Sequence, residues 1–215
     1  MDKQQLDPGA SALVVIDLQN DFCHPEGAYA RRGIRYTPPL EQTLANLHRL
    51  VGAARAAHVP VFFMRMENSS WADSPPTRAR RGRHGRDPDA PPTCPEGSWG
   101  AGLYGVAPSP DDRVMVKHRY SSFIGTALDT YLRSLERCTV VVAGLVTNVC
   151  VESTARDAFM RDYWTVTVGD CCTAGSRAEH EGALSNLDRY FGEVLTLDEL
   201  LQHWPAATRA DAPAS

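Results

Sequence analysis

The sequence predicts an α/β fold: a mostly parallel sheet of about six strands with helices on both faces. Three observations lead there. Short apolar, β-branched runs recur along the chain, each too short for a buried helix and without the polar alternation of a half-exposed strand. Stretches with apolar residues at helical spacing separate them, and strands alternating with helices imply parallel pairing. No repeat or heptad pattern competes, and no linker splits the 215 residues into two core-forming halves.

The elements follow in order. Residues 1–11 read as a loose N-terminal arm. Residues 12–16 (ALVVI) form the first strand and end at Asp17. A helix begins near Pro38 or Pro39, with Leu40, Leu44, Leu47, Val51 and Ala54 on one face, since proline suits the first helical position. Residues 61–64 give the second strand and 113–117 (RVMVK) the third. A helix over 127–135 carries Leu128, Leu132 and Leu135 on one side, and 139–143 is the fourth strand. Residues 164–168 and 193–197 supply the fifth and sixth strands. Helices are expected over 177–190 and 197–203. The core domain thus spans 12–204, and 205–215 (PAATRADAPAS) reads as a disordered tail.

Residues 66–112 are different: proline-rich, with little regular structure expected before the region of Trp99 to Tyr104. Excursions of this length on small domains are lids, binding loops or inserts. Within it TRARRGRHGR gathers Arg78, Arg80, Arg81, Arg83 and Arg86. The run could bind nucleic acid or an anionic ligand, but no aromatic residues interleave with these arginines as they do in single-strand binders, so a solvated loop or subunit contact is expected instead.

Composition narrows the functions. The formal net charge is −4, with 43% hydrophobic and 22% charged residues. Nothing there favours nucleic acid or an anionic membrane. No apolar run approaches the roughly 20 residues that cross a bilayer, and MDKQQLDPGAS lacks the apolar centre of a signal peptide. A cytoplasmic protein is expected. The six cysteines, Cys23, Cys94, Cys138, Cys150, Cys171 and Cys172, show no CxxC spacing, and a disulfide framework is not expected in such a compartment. The vicinal pair Cys171-Cys172 leaves a strained redox bridge open.

The chemistry gathers at strand ends. The fourth strand runs through Gly144 into LVTNVCVESTARDAF, where Val151, Ala155, Ala158 and Phe159 resume helical spacing. Cys150 therefore sits at a helix start, whose free N–H groups favour a thiolate and can hold an oxyanion. The first strand ends in Asp17 and the third in Lys117, and ligands of open parallel sheets bind outside that edge. Read together, Asp17 takes the Cys150 proton, the sulfur attacks a carbonyl, Lys117 holds the carboxylate, and a thioester forms and is hydrolysed.

VVIDLQNDF around Asp17, VKHRYSSF around Lys117 and GLVTNVCVESTARDA around Cys150 resemble the isochorismatase-like cysteine hydrolases over roughly residues 10–200. The resemblance implies a three-layer α/β/α sandwich around a parallel sheet of about six strands. It implies a triad of Asp17, Lys117 and Cys150, a cis peptide between Leu145 and Val146, and oxyanion donors at the N–H groups of Val146 and Cys150. The cysteine argues for C–N cleavage, since isochorismatases proper lack it. Nicotinamidases carry an Asp-x-His metal motif where this chain reads MRMENSSW, so no zinc and no cofactor are expected. His24, His84, His118 and His180 show no ligand spacing.

RYSSFIGTALDTYLRS and TNVCVESTARDAF resemble most the branch acting on ureidoacrylate, biuret and N-carbamoylsarcosine. The expected function is hydrolysis of a small amide, ureido or lactam substrate by a homo-oligomer. Alternatives are a streptothricin-type lactam hydrolase, with Glu67 and Glu152 suiting its cationic substrate, a non-catalytic binder, and an ether hydrolase acting on isochorismate. By position, Phe22, Tyr29, Asn68, Trp71, Trp99, Tyr120, Phe123 and Glu152 are candidates for contacting substrate. Asn148 is expected to be structural, fixing the turn through its amide.

Overall fold

Apolar runs unbroken by charge need cover on both faces, and the sheet gives it. The computed structural model describes residues 3–81, 83 and 91–204. β1 (Ser11–Ile16) is buried at every residue. Two single-turn helices, α1 (Asn20–Cys23) and α2 (Ala28–Arg31), follow it. α3 (Leu40–Ala56) starts after Pro39 and buries Leu47, Leu50, Val51 and Ala54. β2 (Val61–Met66) leads into the excursion, which carries α4 (Pro75–Arg81). Then come β3 (Arg113–Lys117), α5 (Leu128–Ser134) and β4 (Thr139–Leu145). The chain closes with α6 (Glu152–Phe159), β5 (Trp164–Thr173), α7 (Arg177–Tyr190), β6 (Glu193–Leu195) and α8 (Leu197–Leu201).

The sheet is parallel throughout, in the order β3-β2-β1-β4-β5-β6. The path from β1 through α3 to β2 moves one way along the sheet; from β4 through α6 to β5 it moves the other. Right-handed crossovers therefore place α3 and α6 on opposite faces. α8 packs with α3, and α7 with α6, completing the three layers.

Three expectations need correcting, and one open alternative closes. The excursion contains α4, because Pro75 and Pro76 suit a first helical turn and Ala and Arg are good helix formers. β5 runs on to Thr173, where Gly144 pairs with Cys172 and Leu145 with Thr173. Cys171 and Cys172 are both free and buried. Successive side chains of a strand point to opposite faces, which keeps this pair from bridging. Residues 3–10 are not loose: they make two 3-10 turns, Leu6 is buried, and its carbonyl accepts from Trp204 Nε1 at 3.1 Å. The expected tail over 205–215 lies outside the described residues.

Candidate active site

β1 ends where its neighbours end, and that alignment builds the site. Ile16 is in register with Met64 of β2 and with Gly144 of β4. The next residue, Asp17, leaves the sheet with φ 54, a left-handed conformation that aspartate tolerates better than most residues. Its N–H still donates to Met64 O at 2.9 Å. Lys117, the last residue of β3, pairs in register with Met66. Its side chain passes the end of β2, and Nζ donates to Asp17 Oδ2 at 2.9 Å. Lys117 is 0% exposed and Asp17 1%. Gln19 fastens the neighbouring backbone, donating to Met66 O and Ala101 O while accepting from Met66 N–H.

β4 approaches β1 closely before it turns. Gly144 has φ 124, and a Cβ there would lie 2.2 Å from Ile16 O, so only glycine fits. The Leu145–Val146 peptide is cis. A single π-helical turn, Thr147–Val151, then precedes α6 and holds Cys150, 5% exposed. Such turns insert one residue into the regular ladder. The turn is fixed from two sides. Thr147 Oγ1 lies 2.9 Å from His180 Nδ1 of α7. Thr154 Oγ1 donates to Cys150 O at 2.7 Å and accepts from Ser122 N–H at 3.0 Å. That link ties the segment following Lys117 to the cysteine turn.

The Cys150 thiol interacts with both Asp17 and Lys117. The approach is looser than a fully formed hydrogen bond, and Asp17 Oδ1 is buried without a partner, as is common before substrate arrives. Burial pushes the thiol well above its ordinary range, the Asp17 carboxylate adds to this, and Lys117 only partly offsets it. Burial thus acts in the direction opposite to that of a helix start, favouring the thiol over the thiolate. Burial also raises Asp17 above the usual carboxylate range, against the pull of Lys117. For Lys117 burial favours the neutral amine, but the Asp17 carboxylate beside it pulls the other way and favours the ammonium.

A cavity of about 1130 Å³ opens over this corner. Asp17, Val146 and Cys150 line it, with Phe22, Tyr29, Asn68 and Tyr120. Tyr29 packs edge-on against Phe22 with centroids 4.9 Å apart. Other expected contacts are elsewhere. Trp71 is 96% exposed. Trp99 is half-exposed and packs on His24. Phe123 is buried against Tyr163, in the core. Glu152 Oε1 accepts from Arg156 and Asn186, and Glu67 pairs with Arg65 at 2.8 Å; neither lines the cavity.

Several wall residues were not among the expected substrate contacts: Arg32, Arg35, Arg80, Arg119, His118 and Glu179. The signal for Arg80 was a helical face, since Pro76, Thr77 and Arg80 lie one turn apart on α4 and all reach the wall. For Arg32 and Arg35 it was the long connection between β1 and α3, which is where binding residues gather. Asn148 also lines the cavity, and its Oδ1 is buried without a protein partner.

A three-layer α/β/α sandwich with a buried carboxylate–ammonium pair beside a thiol at the sheet's carboxyl edge is the architecture of a cysteine-hydrolase type of fold. The Isochorismatase domain matches residues 11–199, and the chain belongs to that family. It is 36% identical over 206 residues to ureidoacrylate amidohydrolase RutB of Methylobacterium radiotolerans, covering 88% of this chain and 77% of that one. With the RutB of Pseudomonas syringae pv. syringae the identity is 32% over 211 residues, covering 91% and 84%. Among solved structures, a cysteine hydrolase from Pseudomonas syringae pv. phaseolicola superposes with a TM-score of 0.80 at 29% identity, covering 92% and 93%. Nicotinamidase PncA of Bacillus subtilis gives 0.71 at 26%, covering 86% and 99%. Family and relatives together make this chain a hydrolase of amide C–N bonds. Among the described residues no helix is long and apolar enough to cross a membrane.

Proposed function

We propose that Cys150 is the nucleophile, Asp17 the general base and acid, and Lys117 the charge that holds Asp17, in hydrolysis of a small ureido or amide substrate. The observation carrying this is the 2.9 Å Lys117–Asp17 pair, buried at one strand edge with the Cys150 thiol beside it. Because burial favours the thiol, attack and proton transfer go together. Asp17 takes the proton as the sulfur bonds to the carbonyl carbon. The raised carboxylate makes that transfer less uphill. The N–H groups of Val146 and Cys150 receive the oxyanion. Asp17 then returns the proton to the departing nitrogen, leaving a thioester, and a water deprotonated by the same carboxylate releases the acid and the free thiol. Asn148 Oδ1, without a protein partner on the cavity wall, accepts a substrate N–H.

The RutB relatives point to ureido acids as first substrates to try. The cationic substrate of a streptothricin-type reading loses its support, since Glu67 and Glu152 are engaged elsewhere. The test is a panel of ureido acids, biuret, primary amides, a lactam and isochorismate, read by both ammonia release and mass spectrometry. Hydroxylamine should divert the thioester to a hydroxamate, and Cys150→Ala should abolish turnover. Cleavage of isochorismate alone, or turnover indifferent to Cys150→Ala, would overturn the reading. We also read the protein as a cytoplasmic homo-oligomer; size-exclusion chromatography with light scattering tests its assembly.

A further inference from the structure

We infer that His180 is a positioning residue for the reaction: from α7 it holds the Thr147 hydroxyl, and so fixes the turn that carries the Val146 and Cys150 N–H groups. This rests on the reading above, in which those two groups receive the oxyanion.

The turn is short of internal support. Thr147–Val151 is π-helical, a form met mostly as a single turn within longer helices. Val146 at its head brings no side chain to cap it. Two hydroxyls grip it instead. Thr154 Oγ1 donates to Cys150 O at 2.7 Å and holds the end that carries the sulfur. The Val146 end is held through Thr147, whose Oγ1 lies 2.9 Å from His180 Nδ1. Thr147 is 0% exposed and His180 8%, so removing either partner leaves the other a buried polar atom without its bond.

His180 suits this task. It follows the capped start of α7, where the Ser176 hydroxyl accepts from Glu179 N–H. Gly175 and Glu179 line the cavity, so the start of α7 forms part of the wall and reaches the turn as well. His180 itself does not line the cavity, and it therefore acts through Thr147 and not on the substrate. Burial lowers its pKa from the ordinary 6.5, against the pull of Glu181, which keeps the ring neutral at neutral pH. A neutral imidazole has one donor and one acceptor nitrogen, so Nδ1 completes the bond with a hydroxyl in either tautomer. Donors to an oxyanion act where charge develops, in the transition state. Their misplacement lowers kcat and leaves KM near its value. A shift of about 1 Å is enough to cost on the order of a hundredfold.

The test is a double-mutant cycle on whichever compound of the panel above turns over fastest. Thr147→Val keeps the side chain's shape and removes its hydroxyl; His180→Leu removes the ring nitrogens. Each should lower kcat about tenfold, the worth of one buried hydrogen bond, with KM within about twofold. The two together should be no slower than either alone. His180→Asn, whose amide stands where Nδ1 stood, should recover most of the rate. Amide hydrogen exchange over residues 144–151 should quicken in both single variants and slow again in His180→Asn. Tyr163→Phe removes a hydrogen bond to Asp129 at the opposite edge of the sheet and should leave kcat unchanged. An unchanged kcat in Thr147→Val overturns the inference, whether or not His180→Leu folds. So do losses that multiply in the double variant, or a folded His180→Asn no faster than His180→Leu. The absence of Cys150-dependent turnover in the unaltered protein falls instead on the hydrolase reading. Exchange over residues 144–151 then decides the brace, and no quickening in Thr147→Val overturns it.

Discussion

The corner beneath the cavity and the rim around it are built on opposite principles. At the corner Asp17, Lys117 and Cys150 are at most 5% exposed, each set by a strand end whose register is fixed by its neighbours. At the rim Arg32, Arg35 and Arg80 are exposed, on a loop and on a short helix of the excursion. A buried charge pair needs a rigid frame because a misplaced charge in low dielectric is costly. A recognition group at the surface tolerates movement and sequence change. The corner therefore belongs to the strand ends, and the rim to the connections that follow β1 and β2.

Substitutions sharpen the contrast, beginning with the corner. Cys150→Ser should cut kcat/KM at least about a thousandfold with an unchanged melting transition, since the change is one atom within a formed site. Appreciable activity in that variant would place the nucleophile elsewhere. Lys117→Met should lose activity and also destabilise the fold by about 3–5 kcal/mol in denaturant titration, because Asp17 would be left as an unpaired buried carboxylate. Gly144→Ala should cost about 2–4 kcal/mol, with its Cβ driven against Ile16 O at a positive φ, and should disturb activity although it touches no substrate.

The pH dependence has a definite sign. Asp17 works as a carboxylate, and burial raises it above its ordinary value of 3.8, so the acid limb of kcat/KM should lie above the usual carboxylate range. The folded state holds that proton more tightly than the unfolded chain does. Its contribution to stability is therefore full below 3.8 and is lost as pH rises from there through the raised folded value. Activity should rise over the window in which this group's contribution to stability falls; Asp17→Asn should flatten both trends. The smallest effect is expected at Trp71→Ala, which should leave kcat/KM within about twofold, as befits a fully solvated side chain away from the cavity.

Legibility followed the same division. The six strands were readable because burial on both faces leaves an unbroken apolar run, as in ALVVI, and the strand ends named Asp17, Lys117 and the Cys150 turn at once. The wall was less readable. Phe22 and Tyr29 reach it, but Phe123, two residues after Ser121 in the same motif, turns into the core against Tyr163. Glu152 follows the cysteine closely, yet the helix carries its carboxylate to Arg156 and Asn186. α4 was missed because its prolines read as breakers, although at a helix start they are favourable. The pull of a helix start on Cys150 is visible in sequence, whereas the desolvation opposing it depends on what packs around the sulfur.

Thr154 gives the arrangement a last property. Its hydroxyl joins Ser122 N–H to the Cys150 carbonyl, bracing two stretches of chain that lie 32 residues apart. The segment that follows the ammonium-bearing strand and the turn carrying the sulfur are thereby yoked, so thermal agitation that frays one drags the other along. Loss of function on heating then comes as a single break, with no half-assembled form surviving in which sulfur persists without its counter-charges.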